Sequence, residues 1–187
     1  MKLNQRFHLL YPEEEKYVNE IEKSIYNVAI ANQYGPEGIR YFAKLVDRKY
    51  GDHSPNSHHC MNTCCEGQGT RVYGSLPEYI YSIARDGIYI DLYAASEIKY
   101  SLQNQPMSIK MNSQFPYDSK VEMIVGNNRP VKSKIHIRVP SWASGEMSVM
   151  INSKQAGSGK PGYYFVMDRE WKNGDVISFT LPMDFRV

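Results

Sequence analysis

The chain has 187 residues, of which 42% are hydrophobic and 22% are charged, as in ordinary soluble globular proteins. Lysine and arginine number 22 against 20 aspartates and glutamates, so a net charge of +2 gives no reason to expect a nucleic-acid partner. No stretch approaches the ~20 consecutive apolar residues of a membrane span, and no membrane partner is expected. The N-terminus lacks the apolar core of a signal peptide, which leaves the compartment open between bacterial cytoplasm and periplasm.

The first part of the chain is predicted to be helical. Pro12 suits the first turn of a helix, and the glutamates at 13–15 complement its positive end. Gly35-Pro36 ends this helix, because proline restricts the residue before it and glycine accepts a left-handed cap. A short segment at 39–46 is predicted as a turn or a strand. The apolar residues that recur at helical spacing are Tyr17, Ile21, Ile25, Val28 and Ala29.

Three cysteines, Cys60, Cys64 and Cys65, fall within six positions, and the chain contains no others. Adjacent Cα atoms lie ~3.8 Å apart, below the ~4.4 Å at which disulfides normally begin, so a Cys64–Cys65 bridge would be strained. Beside His58 and His59, the cluster suits metal coordination, nucleophilic catalysis or redox chemistry, with inert thiols as the plain alternative. Zinc knuckles use two C-x2–4-C pairs, whereas Cys60-x3-Cys64 stands alone, so the spacing leaves these uses open.

The cysteines lie in a polar loop predicted over residues 51–69. Helical spacing returns over residues 72–83, which predicts a helix that begins near Thr70 and closes at Asp86-Gly87. Pro77 is expected to kink this helix or to start a second one capped by Ser75. A thiol beside a helix N-terminus has a lowered pKa, which favours its thiolate.

From Ile88 onward the hydrophobic period drops to two, which predicts β-strands. Asn127-Asn128 and Asn173-Gly174 supply turn signals between such runs. Seven short strands without helical patterns between them indicate an antiparallel sandwich. The strands are predicted at residues 88–93, 107–111, 121–125, 135–139, 148–151, 163–167 and 176–181.

The sequence thus predicts an α+β fold in two parts, a helical segment over 1–87 and an antiparallel β-sandwich over 88–187, the latter incomplete. Few helices are available to cover each other's apolar stripes. We therefore expect self-association through unpaired helix faces. The side chains expected to lack partners are Tyr17, Ile21, Ile25, Leu76, Ile80 and Ile83.

An ordered series of motifs runs through the whole chain. Thr-Cys-Cys-Glu-Gly-Gln-Gly-Thr-Arg at 63–71 is followed by Leu-Pro-Glu-Tyr-Ile at 76–80 and Gly-Ile-Tyr-Ile-Asp-Leu-Tyr at 87–93. Ile-Arg-Val-Pro-Ser-Trp-Ala at 137–143 and Trp-Lys-Asn-Gly-Asp at 171–175 continue the series. In this order the motifs resemble glycoside hydrolase family 127, the β-L-arabinofuranosidase group.

The resemblance implies a catalytic (α/α)6 barrel followed by β-sandwich domains, with residues 1–87 as the last part of that barrel. It also implies that terminal L-arabinofuranosides are hydrolysed with retention of configuration. Cys64 would attack the anomeric carbon, and Cys64 and Cys65 would both bind a zinc ion. An arabinofuranoside-containing glycan is the implied partner.

The chain lacks several parts of the family pattern, including most helices of the barrel and the end of the sandwich. The family's other zinc ligands, in a Glu-x-Cys motif, and its acid/base glutamate precede the segment matched here, and no Glu-x-Cys occurs in these 187 residues. Retaining hydrolysis needs a proton donor as well as a nucleophile. The chain is therefore predicted to be a fragment that is inactive alone.

Two other functions fit the sequence. The sandwich would be a carbohydrate-binding or interaction module if Trp142 and Trp171 were exposed, although tryptophans at strand ends are more often core anchors. Alternatively, the cysteine cluster would bind zinc solely to stabilise the fold of a structural protein.

Overall fold

The computed structural model describes residues 1–34, 38–39 and 64–184, and it describes side chains for residues 1–33 and 67–184. None of the helices in these ranges is long and apolar enough to cross a membrane. The α-helices are α1 (Lys2–Leu10), α2 (Glu15–Ser24) and α3 (Cys64–Ser75). A π-helical turn (Ile25–Ala29) and a 3-10 turn (Ile30–Asn32) extend α2, and a 3-10 turn (Leu76–Tyr79) follows α3.

The strands of the described residues form two large sheets and one small ribbon. The ribbon pairs β1 (Gln33–Tyr34) with β2 (Gly38–Ile39). The four-stranded sheet has the order β11 (Tyr163–Trp171), β8 (Val131–Val139), β4 (Gly87–Ile90), β3 (Tyr81–Ile83). The six-stranded sheet has the order β10 (Lys154–Gly159), β9 (Met147–Ile151), β12 (Val176–Thr180), β7 (Lys120–Asn127), β6 (Gln105–Ser113), β5 (Ser96–Leu102).

The two large sheets enclose one hydrophobic core. Alternate residues of each strand point inward, as Ile135, Ile137 and Val139 do on β8, and all three are fully buried. From the opposite sheet, Ile109 and Met123 meet them in the same cluster. This arrangement is a β-sandwich, as predicted.

The α1–α2 hairpin covers the other face of the four-stranded sheet. Because strand residues alternate in direction, β8 presents His136 and Arg138 to this side, and both are buried. A second, smaller apolar cluster joins α2 to the segment after α3. Its members are Val18, Ile21, Ile25, Tyr79 and Leu92, with Met1 and Leu76 packed against them.

The sandwich departs from the prediction in pairing and in strand number. The prediction of a wholly antiparallel sandwich is wrong at one place, because β4 runs parallel to β8 with Ile88 opposite Ile135. A parallel pair requires a long crossover connection between its strands. Here the connection from β4 to β8 contains β5, β6 and β7. The prediction also missed β3, β5 and β10. In β10 the residues Lys-Gln-Ala-Gly-Ser-Gly show no apolar alternation, which an edge strand does not need.

The helix after the cysteines also differs from the prediction. It begins at Cys64 instead of near Thr70, so residues 64–69 belong to a helix and not to a loop. It ends at Ser75, and a 3-10 turn with Ser75 as its N-cap residue and Pro77 in its first turn follows, which is one of the two outcomes expected for Pro77. Residues 81–83 were expected to be helical, but they form β3 and pair with β4. Residues 40–63, with most of the predicted loop and of the segment 39–46, lie outside the described residues.

The expectation of unpaired helix faces is wrong for five of its six residues. Ile21 and Ile25 are buried in the smaller cluster, Leu76 packs against that cluster, and Ile80 packs against the main core. Tyr17 stacks on Phe7 with ring centroids 5.4 Å apart. Only Ile83 is exposed, at 53%. The helical layer instead exposes other apolar side chains, namely Leu3, Leu9, Leu10, Val28 and Ile30.

Gly87 is predicted to be essential to the parallel pairing of β4 and β8. A Cβ at this position would overlap the backbone carbonyl of Lys134, which cannot move without breaking the sheet. We expect Gly87→Ala to lower the free energy of unfolding by about 2 kcal/mol or more in urea denaturation. Gly145→Ala is the matched control, because a Cβ there meets nothing within 4 Å, and it should stay within about 0.5 kcal/mol of the parent. Equal effects of the two substitutions would contradict this packing.

Candidate functional site

Cys64 and Cys65 are the first two residues of helix α3. Their backbone lies in the described part of the chain, whereas their side chains lie outside it, as does the side chain of Glu66. The N–H groups of a first helical turn have no partner within the helix, and the helix dipole adds positive potential there. The structure therefore places the backbone of both predicted site residues in the first described turn of α3.

The far end of α3 is fixed to the helical layer. The Tyr73 hydroxyl donates a hydrogen bond of 2.6 Å to the carbonyl of Ala29, in the π-helical turn. Beyond the helix, Tyr79 is 4% exposed and packs with Val18 and Ile21 of α2. The orientation of the cysteine-bearing helix therefore depends on α2 and on the turn that follows it.

The π-helical turn also contributes Tyr26. Tyr26 packs edge-on against Phe115, with ring centroids 5.8 Å apart, and Phe115 stacks on Trp142 at the same distance. Burial raises the pKa of Tyr26 to about 12, so its hydroxyl stays protonated at neutral pH. Single π-helical turns are frequent at functional sites, and this one lies between α2 and the contacts of α3.

A buried ionic cluster joins α2 to the four-stranded sheet. Glu15 and Glu22 bracket the guanidinium of Arg138, with N–O distances of 3.3 Å and 2.6 Å. The indole of Trp142 donates a 2.6 Å hydrogen bond to the second Glu22 oxygen, and the backbone N–H of Ser141 donates to Glu15. All three charged side chains are at most 5% exposed.

Two effects act in opposite directions on the pKa values of this cluster, namely burial and the attraction between opposite charges. Burial alone would lower the pKa of Arg138, but the carboxylates of Glu22 and Glu15 raise it above its ordinary value, so the arginine stays charged. Burial raises the pKa of Glu15, although the attraction of Arg138 opposes that effect. Arg138 thus stays charged between the two glutamates, and the cluster is a structural contact between α2 and the four-stranded sheet.

A second buried polar cluster centres on Asp91, just after β4. Its carboxylate accepts hydrogen bonds from the hydroxyls of Ser82 at 2.6 Å and Tyr164 at 2.7 Å. The Nε2 atom of His8, on α1, lies 3.1 Å from the same carboxylate, and the His8 ring is 2% exposed. Ser82 and His8 each contact the Asp91 carboxylate, and they do not bond to each other. The set therefore fixes α1 to the sheet and does not have the order of a hydrolytic triad.

No further ligands complete a metal site among the described side chains. Within that part of the chain no group of three or more histidines, cysteines, aspartates or glutamates is arranged to hold a metal ion. The other candidates near the cysteine pair, His53, His58, His59 and Cys60, lie outside the described residues. Tetrahedral zinc takes four ligands, so the two cysteines of α3 suit zinc as half of a ligand set.

Neither tryptophan forms an exposed sugar platform. Trp171 is fully buried, and its indole donates to the carbonyl of Ser133 at 3.1 Å. Trp142 is half-buried and bonded to Glu22. Both are anchors at strand ends, as the more common behaviour of such residues indicated.

The sequence did not reveal the two polar clusters. Arg138 and His136 alternate with apolar residues in β8, which is the ordinary pattern of a strand with one face in water. Glu15 was interpreted only as one of the glutamates that complement the positive end of the helix, and Glu22 was assigned no role. Their spacing of seven residues, which is two helical turns, was the one available signal that they share a face.

The fold of this chain is similar to that of solved glycoside hydrolase structures. A β-sandwich preceded by helices, in the same arrangement over 97% of this chain, occurs in a GH127 β-L-arabinofuranosidase from Geobacillus stearothermophilus T6, with a TM-score of 0.80 and 23% identity. A protein described as a glycoside hydrolase matches 97% of the chain, with a TM-score of 0.84 and 20% identity. A GH127 β-arabinofuranosidase matches 95%, with a TM-score of 0.77 and 20% identity. At these identities the likeness establishes the fold.

The family follows from the sequence of the sandwich. The model of the GH127 middle domain of β-L-arabinofuranosidases matches residues 87–183, which is just over half of the chain. The chain therefore belongs to this family, as its motifs indicated. A comparison with curated proteins found no match. The chain spans 30% to 31% of the length of the three solved structures it resembles.

Arg138 is predicted to be the residue on which the contact between layers depends. Arg138→Met leaves Glu15 and Glu22 buried without a counter-charge, so we expect a loss of about 3 to 5 kcal/mol in the free energy of unfolding. Lys132→Met is the matched control, because Lys132 is exposed on the same strand and the same side, and it should cost about 0.5 kcal/mol or less. Denaturant unfolding followed by tryptophan fluorescence measures both.

A triple variant separates charge from packing in this prediction. Glu15→Gln and Glu22→Gln added to Arg138→Met remove both uncompensated carboxylates, so stability should partly return. A single Arg138→Met variant as stable as the Lys132→Met control would contradict the structural role of the cluster.

Proposed function

We propose that this chain carries the nucleophile side of a retaining β-L-arabinofuranosidase site, with Cys64 as the nucleophile. The observation that supports the proposal is the position of the Cys64-Cys65 pair, at the first two residues of α3 in a chain of this family. A thiol at a helix N-terminus is activated without a neighbouring base, because its thiolate is stabilised there. We also propose that residues 1–87 are the last part of a helical barrel and residues 88–187 the sandwich that follows it.

Cys64 and Cys65 are the residues that would hold a zinc ion in this proposal. Both thiolates are soft ligands of the kind zinc prefers, and they provide two of the four ligands it takes. When bound, zinc would keep the thiolates deprotonated near neutral pH. The remaining ligands are proposed to come from outside these 187 residues, since no Glu-x-Cys occurs in them.

The proposed reaction proceeds in two displacements. The Cys64 sulfur attacks the anomeric carbon of a terminal arabinofuranose, the C–S bond forms as the C–O bond to the leaving group breaks, and the leaving oxygen takes a proton from a general acid. Water then attacks the same carbon as the C–S bond breaks, gives a proton to the conjugate base of the general acid, and leaves Cys64 as a thiolate. Two inversions at one carbon retain its configuration.

The part played by the described residues is to position Cys64. Tyr73 and Tyr79 fix the end of α3 to the helical layer, and the Arg138 and Asp91 clusters fix that layer to the sandwich. A proton donor for the leaving group is not assigned in this chain. The substrate proposed is a glycan that ends in L-arabinofuranose.

Zinc binding is predicted to depend on the cysteine pair. In a chelator competition with the purified chain, Cys64→Ser and Cys65→Ser should each weaken zinc binding at least ~10-fold, because each removes a thiolate ligand. Cys60→Ser is the matched control and should have a smaller effect. Equal losses of zinc affinity in all three variants would contradict the assignment of Cys64 and Cys65 as the zinc ligands.

Turnover provides the second readout of the same proposal. An aryl β-L-arabinofuranoside should not be hydrolysed by this chain alone, because the leaving group lacks its proton donor. Hydrolysis that disappears in Cys64→Ala would establish the nucleophile and would show that a proton donor is present after all. Hydrolysis that persists in Cys64→Ala would contradict the proposal.

A further inference from the structure

The outer face of the six-stranded sheet carries a groove that the proposed cysteine site does not use. It is an open groove with a volume of about 790 Å³. It crosses β7, β12 and β9, in the interior of the sheet. The α1–α2 hairpin covers the other sheet, so the groove lies on the opposite side of the sandwich from the helices.

Strand register explains why the surface is concave here. Ser178 on β12 lies between Glu122 of β7 and Met150 of β9, so a short side chain is flanked by two long ones. One step along, Thr180 lies opposite Lys120. The groove floor is thus made of hydroxyl side chains, and its walls of longer polar and thioether chains.

The lining suits a neutral, polyhydroxyl ligand. The hydroxyls of Ser148, Ser178 and Thr180 each donate and accept, which matches the hydroxyl groups of a sugar. The charged side chains of the lining are Glu122, Glu146 and Lys120, which together carry a net negative charge, so an anion would be repelled. Apolar contact for the C–H faces of a sugar ring comes from Met150 and Pro182.

A bound peptide does not fit this position. Extended peptides add to a sheet at a free edge, where backbone N–H and C=O groups are unpaired. In the groove, β12 already pairs with β7 on one side and with β9 on the other. The backbone is satisfied, so recognition has to come from the side chains.

We propose that this groove binds a neutral oligosaccharide of two or three residues, at a site separate from Cys64. It would hold a glycan on the sandwich whether or not a reaction occurs at the cysteine. The tryptophans of the sandwich are too buried to stack on a sugar, and the groove would provide the carbohydrate contact in their place.

The test is a titration of the full chain, in a Cys64→Ala background, with an arabinofuranosyl trisaccharide, followed by amide NMR. Chemical shifts should change at residues of β7, β12 and β9. Ser178→Trp fills the groove floor and should abolish binding, whereas Ser101→Trp should not, because Ser101 is exposed on β5 outside the lining. Binding that survives Ser178→Trp overturns the proposal.

A second variant guards against a loss of folding. Glu122→Ala removes an exposed acceptor and leaves the core intact, and it should weaken binding at least ~3-fold with an unchanged thermal midpoint. Maltotetraose tests whether the site is selective among neutral sugars, and its binding in the same groove would also support the proposal. Preference for polygalacturonate, an acidic polymer, or the absence of binding by both neutral oligosaccharides, would overturn it.

Discussion

The guanidinium of Arg138 lies between the carboxylates of Glu15 and Glu22 and connects a helical layer to a β-sandwich. Two charges on α2 and one on β8 are removed from water together, and each is costly to bury unless the others are present. The same carboxylates also accept from Trp142 and Ser141, in the segment after β8. The position of α2, and of every element that packs on α2, follows from this contact.

The cysteine-bearing helix depends on the contact indirectly. Tyr73 bonds to the turn that extends α2, and Tyr79 packs on α2 itself, so α3 is held by the element that Arg138 holds. On the other side of the hairpin, His8 and Asp91 tie α1 to the sheet by the same principle of a buried polar pair. In the proposed site this chain of contacts would orient Cys64, although none of its members touches a substrate.

Sequence reasoning succeeded where local pattern decides structure. Period-two runs predicted most strands because an inward face repeats every second residue, and the Cys-Cys motif with its neighbours predicted the family. It failed where the outcome depends on a distant partner. Residues 81–83 have helical spacing, but they pair with β4, and the residues of β8 that look solvent-facing are covered by a hairpin more than 100 positions earlier. For the same reason Ile21 and Ile25 were expected to be unpaired, since their partners Tyr79 and Leu92 come from beyond the cysteine segment.

The central claim is that Cys64 is the nucleophile, and covalent trapping tests it most directly. A 2-deoxy-2-fluoro-arabinofuranosyl fluoride needs no protonation of its leaving group, so it bypasses the general acid that this chain is proposed to lack. After incubation with the zinc-loaded chain, peptide mass spectrometry should locate one fluoro-arabinosyl group on Cys64 and none in Cys64→Ser. A sugar adduct on Cys60, Cys65 or a carboxylate, or one that forms equally in Cys64→Ser, would contradict the account.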